Sequence, residues 1–428
     1  MYGGKTIGVV VPAYNEAGLV GGVIETMPAF VDRVYVVDDS STDDTWAEVT
    51  HYAAAANERR NAESPLADGG TSGFVVPIRH EENRGPGGAR KTGYARALAD
   101  EIDVVATMDA DGQMDPAYLD RIVAPVVSGR VAYAKGTRLK SRKFWREMPP
   151  FRLFGNLLLT FLTKVASGYW GMTDPQNGYT AISKDALATI GIETLYDDYG
   201  YLNDVLTSLN VDSRRIADVS HPARYGTEHS GIQYSTFVPS LSRVLFRNFC
   251  RRLQRRYLLL DFHPLAFLYG LGALGLAGSA LSAGAAVYAA LSSESPSVLS
   301  PPASSTRRSA VDGGSVADVD AGPSLDSGSS PDSGPESMSS PGSAAGTGNS
   351  KTRSTTARCL ATLEAFLFGA CVLALAIAFD VRANEDLVVR IEDAVAGGRS
   401  SDLRPDRPGD RTDENRDGTD GTTGAGDR

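Results

Sequence analysis

The stretch Ala106-Thr107-Met108-Asp109-Ala110-Asp111-Gly112-Gln113 decides how the rest of the chain is read. An apolar run over residues 102–108, interrupted only by Asp103 and Thr107, predicts a buried strand of a parallel sheet. It stops at two carboxylates with one small residue between them. Alternation along an extended chain points both the same way, off the carboxyl end of the strand, where open α/β sheets place their ligands. Two hard oxygen donors at this spacing suit Mg²⁺ or Mn²⁺ that also holds a diphosphate. Acidic pairs at strand ends also serve as caps and turns, so the pair needs support from elsewhere in the chain.

That support lies on both sides. Residues 6–11 predict a strand that turns through Pro12-Ala13-Tyr14-Asn15-Glu16 into a helix ending near Met27. Residues 34–37 predict a second strand, ending in Asp38-Asp39-Ser40-Ser41-Thr42-Asp43-Asp44-Thr45, with a helix from Thr45 to about Ala56. Capping accounts for Thr42 and Asp43 but not for Asp38 and Asp39, which stand at the strand end. A polar, Gly-rich loop over 57–73 precedes a third strand at 74–78. Asn83-Arg84-Gly85-Pro86-Gly87-Gly88-Ala89-Arg90 then opens a helix to about Ala99. This Gly-rich turn lacks the known phosphate-loop spacings, and either diphosphate contact or close helix–sheet packing explains it. A helix over 116–127 and a strand over 131–134, running into Lys135-Gly136-Thr137-Arg138, complete an alternation that predicts a doubly wound, mostly parallel α/β sheet.

Beyond this the character changes. Leu153, Leu157, Leu158, Phe161, Leu162 and Val165 recur at helical spacing, either as a core helix or as one lying in a membrane interface. A polar turn, Thr173-Asp174-Pro175-Gln176-Asn177-Gly178-Tyr179, follows, then a helix from Lys184 and a less regular stretch to about Ser235. Arg243, Arg247, Arg251, Arg252, Arg255 and Arg256 form a basic stripe expected at a membrane surface. Residues 264–291 carry no charge and are long enough to span a bilayer, and 359–379 form a second apolar segment with Glu364 near its start. The expected organisation is a catalytic domain over 1–240, a basic juxtamembrane helix over 241–262, spans over 263–291 and 358–380, and disordered segments over 292–357 and 381–428.

Eight lysines against thirty-four arginines, with a net charge of −10, resemble a composition suited to concentrated salt and argue against nucleic acid as a partner. Cys250, Cys359 and Cys371 have neither metal nor redox spacing, and no cleaved signal peptide is expected. His221, His229 and His263 are too scattered to suggest a metal site.

Taken in order, the 11–16, 37–45 and 108–113 motifs resemble glycosyltransferase family two, and within it the dolichol-phosphate mannosyl- and glucosyltransferases. The resemblance covers roughly residues 5–235. It implies a GT-A nucleotide-diphospho-sugar transferase fold, a divalent metal and inversion at the anomeric carbon. It places Pro12, Tyr14 and Glu16 along the nucleoside pocket and Asp39 on the base. Asp109, Asp111 and Gln113 take the metal and diphosphate positions, and His229 lies in a segment that approaches the diphosphate in the family. Arg138 and, by a looser match, Arg152 resemble the arginines that hold an acceptor phosphate.

The implied reaction moves one sugar from a nucleotide-diphospho-sugar to dolichyl or polyprenyl phosphate at the bilayer, for glycoprotein or surface-glycan synthesis. The enzyme is expected as a multi-pass protein of the cell membrane, with its catalytic domain on the cytoplasmic face. A lipid phosphate is already anionic and needs no base, only cations, whereas a hydroxyl acceptor would make Asp174 the general base. Processive polysaccharide synthases are the second reading, but Leu253-Gln254-Arg255-Arg256-Tyr257 lacks their Gln-x-x-Arg-Trp spacing. A non-catalytic membrane scaffold is the third, disfavoured by the intact Asp109, Asp111 and Asp39.

Overall fold

The structure is a computed structural model that describes residues 1–63, 73–138, 150–221, 234–260, 262–293 and 347–391. Residues 64–72 of the expected 57–73 loop, His229, residues 294–346 of the expected linker and the tail beyond 391 lie outside the described residues, as does the side chain of Arg152, while residues 57–63 are helical rather than part of a loop. The chain divides into two compact units, Met1–Leu268 joined by the chain from Leu375 onward, and Tyr269–Ala374.

The first unit is built on β1 (Ile7–Ala13), β2 (Arg33–Asp38), β3 (Val75–Arg79), β4 (Val104–Thr107), β5 (Tyr133–Thr137), β6 (Thr180–Ser183), β7 (Ile216–Ser220) and β8 (Val388–Ile391). They form one sheet in the order β3-β2-β1-β4-β6-β5-β7-β8, in which β6 alone runs against its neighbours. Val9, Val10, Val11, Val34, Val36, Val37 and Val105 are all fully buried. Runs of β-branched side chains suit a sheet covered on both faces, which is why the central strands read so plainly in the sequence. The covering helices of this half are α1 (Val20–Glu25), α2 (Thr45–Glu63), α3 (Gly85–Ala99) and α4 (Leu119–Val127), the last preceded by a 3₁₀ turn at Pro116–Tyr118.

Chain order reverses between β1 and β4: β2 and β3 extend the sheet to one side of β1, and β4 lies on the other. Such a switch point opens a crevice at the carboxyl ends of the two strands. Register brings Val10 opposite Thr107 and Ala13 opposite Asp38. The ends of β1, β2 and β4 therefore open onto one edge.

Several elements differ from expectation. Residues 14–19 form a loop rather than the start of a helix. The N–H groups of Asn15, Glu16, Ala17 and Gly18 donate to the side chains of Ser41, Thr45, Asp43 and Glu48, so the backbone finds its partners in the next turn. The stretch read as irregular contains α7 (Tyr201–Val211) and β7, after the short α6 (Lys184–Thr189). Residues 347–357, expected to be disordered, begin a helix, and residues 388–391 pair with β7 from Ile216↔Val388 to Val219↔Ile391 instead of joining a structureless tail.

The helix α5 (Pro150–Ser167) resolves its two readings in favour of an outward apolar face. Phe154, Leu157, Leu158, Phe161 and Leu162 are exposed. The opposite side is held inward by buried Thr163, which donates to Asn203 of α7 at 3.1 Å.

The basic stripe meets partners within the protein along much of its length. It lies on α8 (Tyr234–Arg252) and a π-helical extension, Leu253–Leu260. Arg252 is fully buried and forms a bidentate pair with Asp380 at 2.8 and 2.7 Å. Arg256 donates to Asn210 and Asn384, Arg247 to Asp204 and Arg251 to Ser208. Arg243, Arg247 and Arg255 of the six are exposed, although Arg247 still reaches Asp204. Arg247, Arg251, Arg252 and Arg256 pin α8 and its extension to the catalytic unit and to the end of the last helix.

The second unit comprises most of α9 (Leu265–Ser293) and α10 (Thr347–Ala383). Gly275 of α9 lies against Gly369 of α10, where a Cβ would approach the partner's Cα to 2.9 Å. The segments Leu265–Ala289 and Thr356–Ala383 are long and apolar enough to cross a membrane.

Candidate functional site

The carboxyl ends of β1, β2, β4 and β5, with the turn at 173–179, hold the described residues expected to bind donor, metal and acceptor. Met108 continues β4 by donating to Val10 O at 3.1 Å, which delivers Asp109 beyond the last paired residue. Asp111 Oδ1 accepts from the N–H of Gln113 at 2.9 Å, and Gly112 between them takes a positive φ of 70°. This tight turn keeps Asp109, Asp111 and Gln113 on one short arc.

Asp109 is not solitary. Its Oδ1 accepts from Nη2 of Arg90, a buried residue of α3 whose guanidinium lies 4.8 Å from the Tyr201 ring centroid. Burial opposes the charge on Arg90, yet Tyr201, Asp109 and Tyr94 outweigh it and hold the guanidinium firmly protonated. The Gly-rich turn before it serves packing. Gly87 sits against the backbone of Tyr196 and Asp197, with the Asp197 carbonyl 2.8 Å from where a Cβ would stand, and Gly88 N–H donates to that carbonyl at 2.9 Å. The close packing of this turn is made against the 196–197 segment.

The other carboxylate oxygen of Asp109 borders the turn at 173–179. A Cβ on Gly178 would lie 3.1 Å from Asp109 Oδ2 and 3.3 Å from the Met114 methyl. Glycine thus keeps that side of the carboxylate clear, as a cation site requires. The donor set also fits a divalent cation: two carboxylates and an amide, with no cluster of three or more His, Cys, Asp or Glu among the described residues. Mg²⁺ is commonly held by one or two carboxylates and completed by substrate phosphate and water.

At the other end of the same turn, Asp174 takes a strained φ of 44° and is buried. Its Oδ2 accepts from Arg138 Nε at 3.1 Å, Arg138 N–H at 3.2 Å and Asn177 Nδ2 at 3.2 Å. Burial alone would raise this carboxyl, but the Arg138 and Lys135 charges and these hydrogen bonds hold it below its usual range. Beneath it, Lys135 and Asp218 form a fully buried pair, and Asp218 Oδ2 accepts from Thr173 N–H and Oγ1. Asn177 also reaches His221 Nε2 at 3.1 Å. The Arg138–Asp174 pair and the Asp109 carboxylate are therefore two ends of one braced turn.

On the β1–β2 side, Tyr14 is exposed, Pro12 and Glu16 are half-buried and Asp39 is buried. Asp39 Oδ1 accepts from His80 Nδ1 at 2.6 Å and from Arg84 N–H at 2.9 Å. Tyr199 lies within electrostatic reach of carboxylates on both sides. Its hydroxyl is pushed up first by burial, then by Asp198, with further contributions from Asp109 and Glu16, so both carboxylates act on one phenol.

Three residues of this site, Arg90, Tyr199 and His80, received no role from the sequence. A lone arginine within a Gly/Ala-rich helix start was the available signal for Arg90. For His80 the signal was a polar residue directly after a strand.

Residues 8–191 match the model of the family described as Glycosyl transferase family 2. A UDP-N-acetylglucosamine–dolichyl-phosphate N-acetylglucosaminyltransferase of Methanococcus voltae is 30% identical over 227 residues, 53% of this chain and 88% of the relative. An undecaprenyl-phosphate mannosyltransferase of Micrococcus luteus is 27% identical, over 49% of this chain and 80% of the relative. A polyprenol monophosphomannose synthase of Mycolicibacterium smegmatis is 28% identical, over 45% of this chain and 67% of the relative.

Proposed function

The chain belongs to glycosyl transferase family 2, and from that premise we propose that it moves one sugar from a nucleotide-diphospho-sugar to a polyprenyl or dolichyl phosphate at a membrane face, with inversion at the anomeric carbon. The observation that carries the acceptor assignment is the state of Asp174. A general base must be within reach of a proton and poised to take it. Asp174 is buried, spends Oδ2 on three donors, and is held below the ordinary carboxylate range. It suits positioning Arg138, not removing a proton. The names of the three relatives, all acting on polyprenol-type phosphates, support the same acceptor class, while their different sugars leave the sugar open.

In this reading an oxygen of the acceptor phosphate attacks the anomeric carbon from the face opposite the diphosphate. The carbon–oxygen bond to the diphosphate breaks, and its electron pair leaves with the nucleoside diphosphate. No proton has to move. Arg138, with a side chain 36% exposed, draws the acceptor phosphate against the repulsion of the donor's charge. Asp109, Asp111 and Gln113 would hold a Mg²⁺ or Mn²⁺ ion, which supplies charge neutralisation at the departing diphosphate. Pro12, Tyr14, Glu16 and Asp39 hold the nucleoside.

The membrane enters through surfaces of the catalytic unit itself. The outward face of α5, with exposed Leu258, Leu259 and Leu260, is an apolar surface of the kind that beds into a bilayer. The two apolar helices α9 and α10 anchor the chain there, with the catalytic unit on the cytoplasmic side. Purified protein given radiolabelled nucleotide sugars and polyprenyl phosphate tests the reading. Label in a mild-acid-labile glycolipid supports it, and label in a lipid-free glycan ends it.

A further inference from the structure

We propose that His80 is a positioning residue for donor recognition, fixing Asp39 so that one carboxylate oxygen is presented to an N–H of the donor's base. The inference deepens the proposed donor site and rests on the reading that Asp39 faces the base. It begins with the hydrogen bonds of Asp39. A carboxylate only accepts, so His80 Nδ1, 2.6 Å from Oδ1, carries the proton of that bond. Arg84 N–H, at 2.9 Å, is the second donor to the same oxygen. Oδ2 accepts no hydrogen bond among the described residues, although the Asp39 side chain is only 4% exposed. That oxygen therefore keeps its lone pairs open at the accessible edge of a carboxylate that is otherwise enclosed. A ligand N–H is the group that would satisfy it.

His80 is itself held on both sides. Its ring is nearly buried, and Nε2 lies 2.8 Å from Thr92 Oγ1 on α3, whose hydroxyl is also 3.2 Å from Gly88 O. The imidazole therefore bridges the end of β2 to the first turns of α3. Rotation of the Asp39 carboxylate would break its bond to the ring. With Oδ1 saturated by protein donors, Oδ2 is left to read the ligand. A base that offers a ring N–H at that edge, as uracil and guanine do, satisfies it, whereas the corresponding ring nitrogen of cytosine has no hydrogen to give.

Asparagine and glutamine at position 80 separate positioning from packing, because each replaces one half of the ring. The amide of His80→Asn takes the place of Nδ1 and keeps the donor to Asp39. The amide of His80→Gln takes the place of Nε2, keeps the contact with Thr92 and releases Asp39. Both are polar and smaller than histidine, so each is checked for an unchanged melting temperature. Donor KM, kcat, and the affinities of uridine, guanosine and cytidine diphosphates are measured on the full-length protein in detergent.

Whichever of the uridine and guanosine diphosphates binds more tightly is expected to bind about tenfold more weakly to His80→Gln, the loss of one charge-assisted hydrogen bond. Donor KM should rise in parallel, with kcat at saturating donor within about twofold and cytidine diphosphate unaffected, because the loss falls on ground-state binding. His80→Asn should stay close to the unmodified protein. Equal effects of the two variants, or a fall in kcat alone, would overturn the proposal. Asp39→Asn serves as the control on the underlying reading. If Asp39→Asn weakens the donor and His80→Gln does not, the base contact stands and the role of His80 falls. If neither does, Asp39 is not at the base and both fall.

Discussion

Arg138 reaches Asp174 twice, through Nε at 3.1 Å and through its own backbone N–H at 3.2 Å, and both bonds end on the same oxygen. The carboxylate thereby fixes the arginine's main chain and side chain together. Because the folded-state value of Asp174 is depressed below 3.8, the pair's stabilisation is complete above that value and is lost only as the pH falls through the lower, folded value. Nothing in this pair titrates in the range where the enzyme would work.

The first prediction follows from that. The acid limb of kcat/KM should track the second ionisation of the acceptor phosphate, near pH ~6, and should stay in place in Asp174→Asn. Arg138→Ala should weaken acceptor use by about 2–3 kcal/mol, as expected for a charge-assisted contact. A limb that disappears in Asp174→Asn, with kcat down by about 10²–10⁴-fold, would instead identify Asp174 as a base.

The second concerns the carboxylate pair. Asp111→Ala and removal of divalent cations by chelation should each abolish transfer, and Gln113→Ala should reduce it. Asp109→Ala should abolish transfer too, but it also strands the buried guanidinium of Arg90. That variant should lose about 1–3 kcal/mol of stability that Asp111→Ala keeps. Chemical denaturation of the two variants side by side checks the difference, and full activity in chelator would remove the metal from the mechanism.

A third prediction addresses the buried Arg252–Asp380 pair, whose side chains are both fully buried. Removing one partner leaves an uncompensated charge, so Arg252→Met or Asp380→Leu alone should cost about 3–5 kcal/mol. The double variant should recover much of that loss, and thermal unfolding of all three reads it directly. Additive losses in the double variant would show that the two charges are not coupled.

The outward face of α5 supplies a fourth. Leu157→Asp with Phe161→Asp should leave transfer to a short, water-soluble prenyl phosphate unchanged. Transfer to a long-chain acceptor in vesicles should fall. Equal losses with both acceptors would place these residues in the fold's interior energetics rather than at a lipid surface.

The sequence disclosed the half of the sheet that carries the donor because its strands are buried on both faces. Val9–Val11, Val34–Val37 and Val104–Val105 need no partner information to be recognised as strands. The strand β6 could not be read that way: Thr180-Ala181-Ile182-Ser183 is short and mixed, and its reversed direction is set by what lies on either side of it. The partners of the arginine stripe were hidden for a related reason. Amphipathic spacing says that one face is polar, not what that face meets, and Arg252 finds its carboxylate 128 positions later in the chain. Among the site residues, those at strand ends were legible because a carboxylate breaks an apolar run. Arg90 and His80 were not, since their roles arise from bonds to those carboxylates across sequence gaps of 19 and 41 residues.

The pairing of β8 with β7 has a consequence for parity. Ser220 and Ile391 lie at the ends of two neighbouring strands of one sheet, so both belong to the same aqueous compartment. A chain that leaves that compartment after Pro264 must be back in it by Val388, which makes the number of bilayer crossings between them even. The helices α9 and α10 therefore cross together or not at all, and a single-pass arrangement would tear β8 from the sheet. If they cross, an epitope inserted between residues 300 and 340 is accessible from outside sealed cells while one at the N-terminus is protected. Deleting the chain from Val388 onward would remove the constraint without touching either apolar helix.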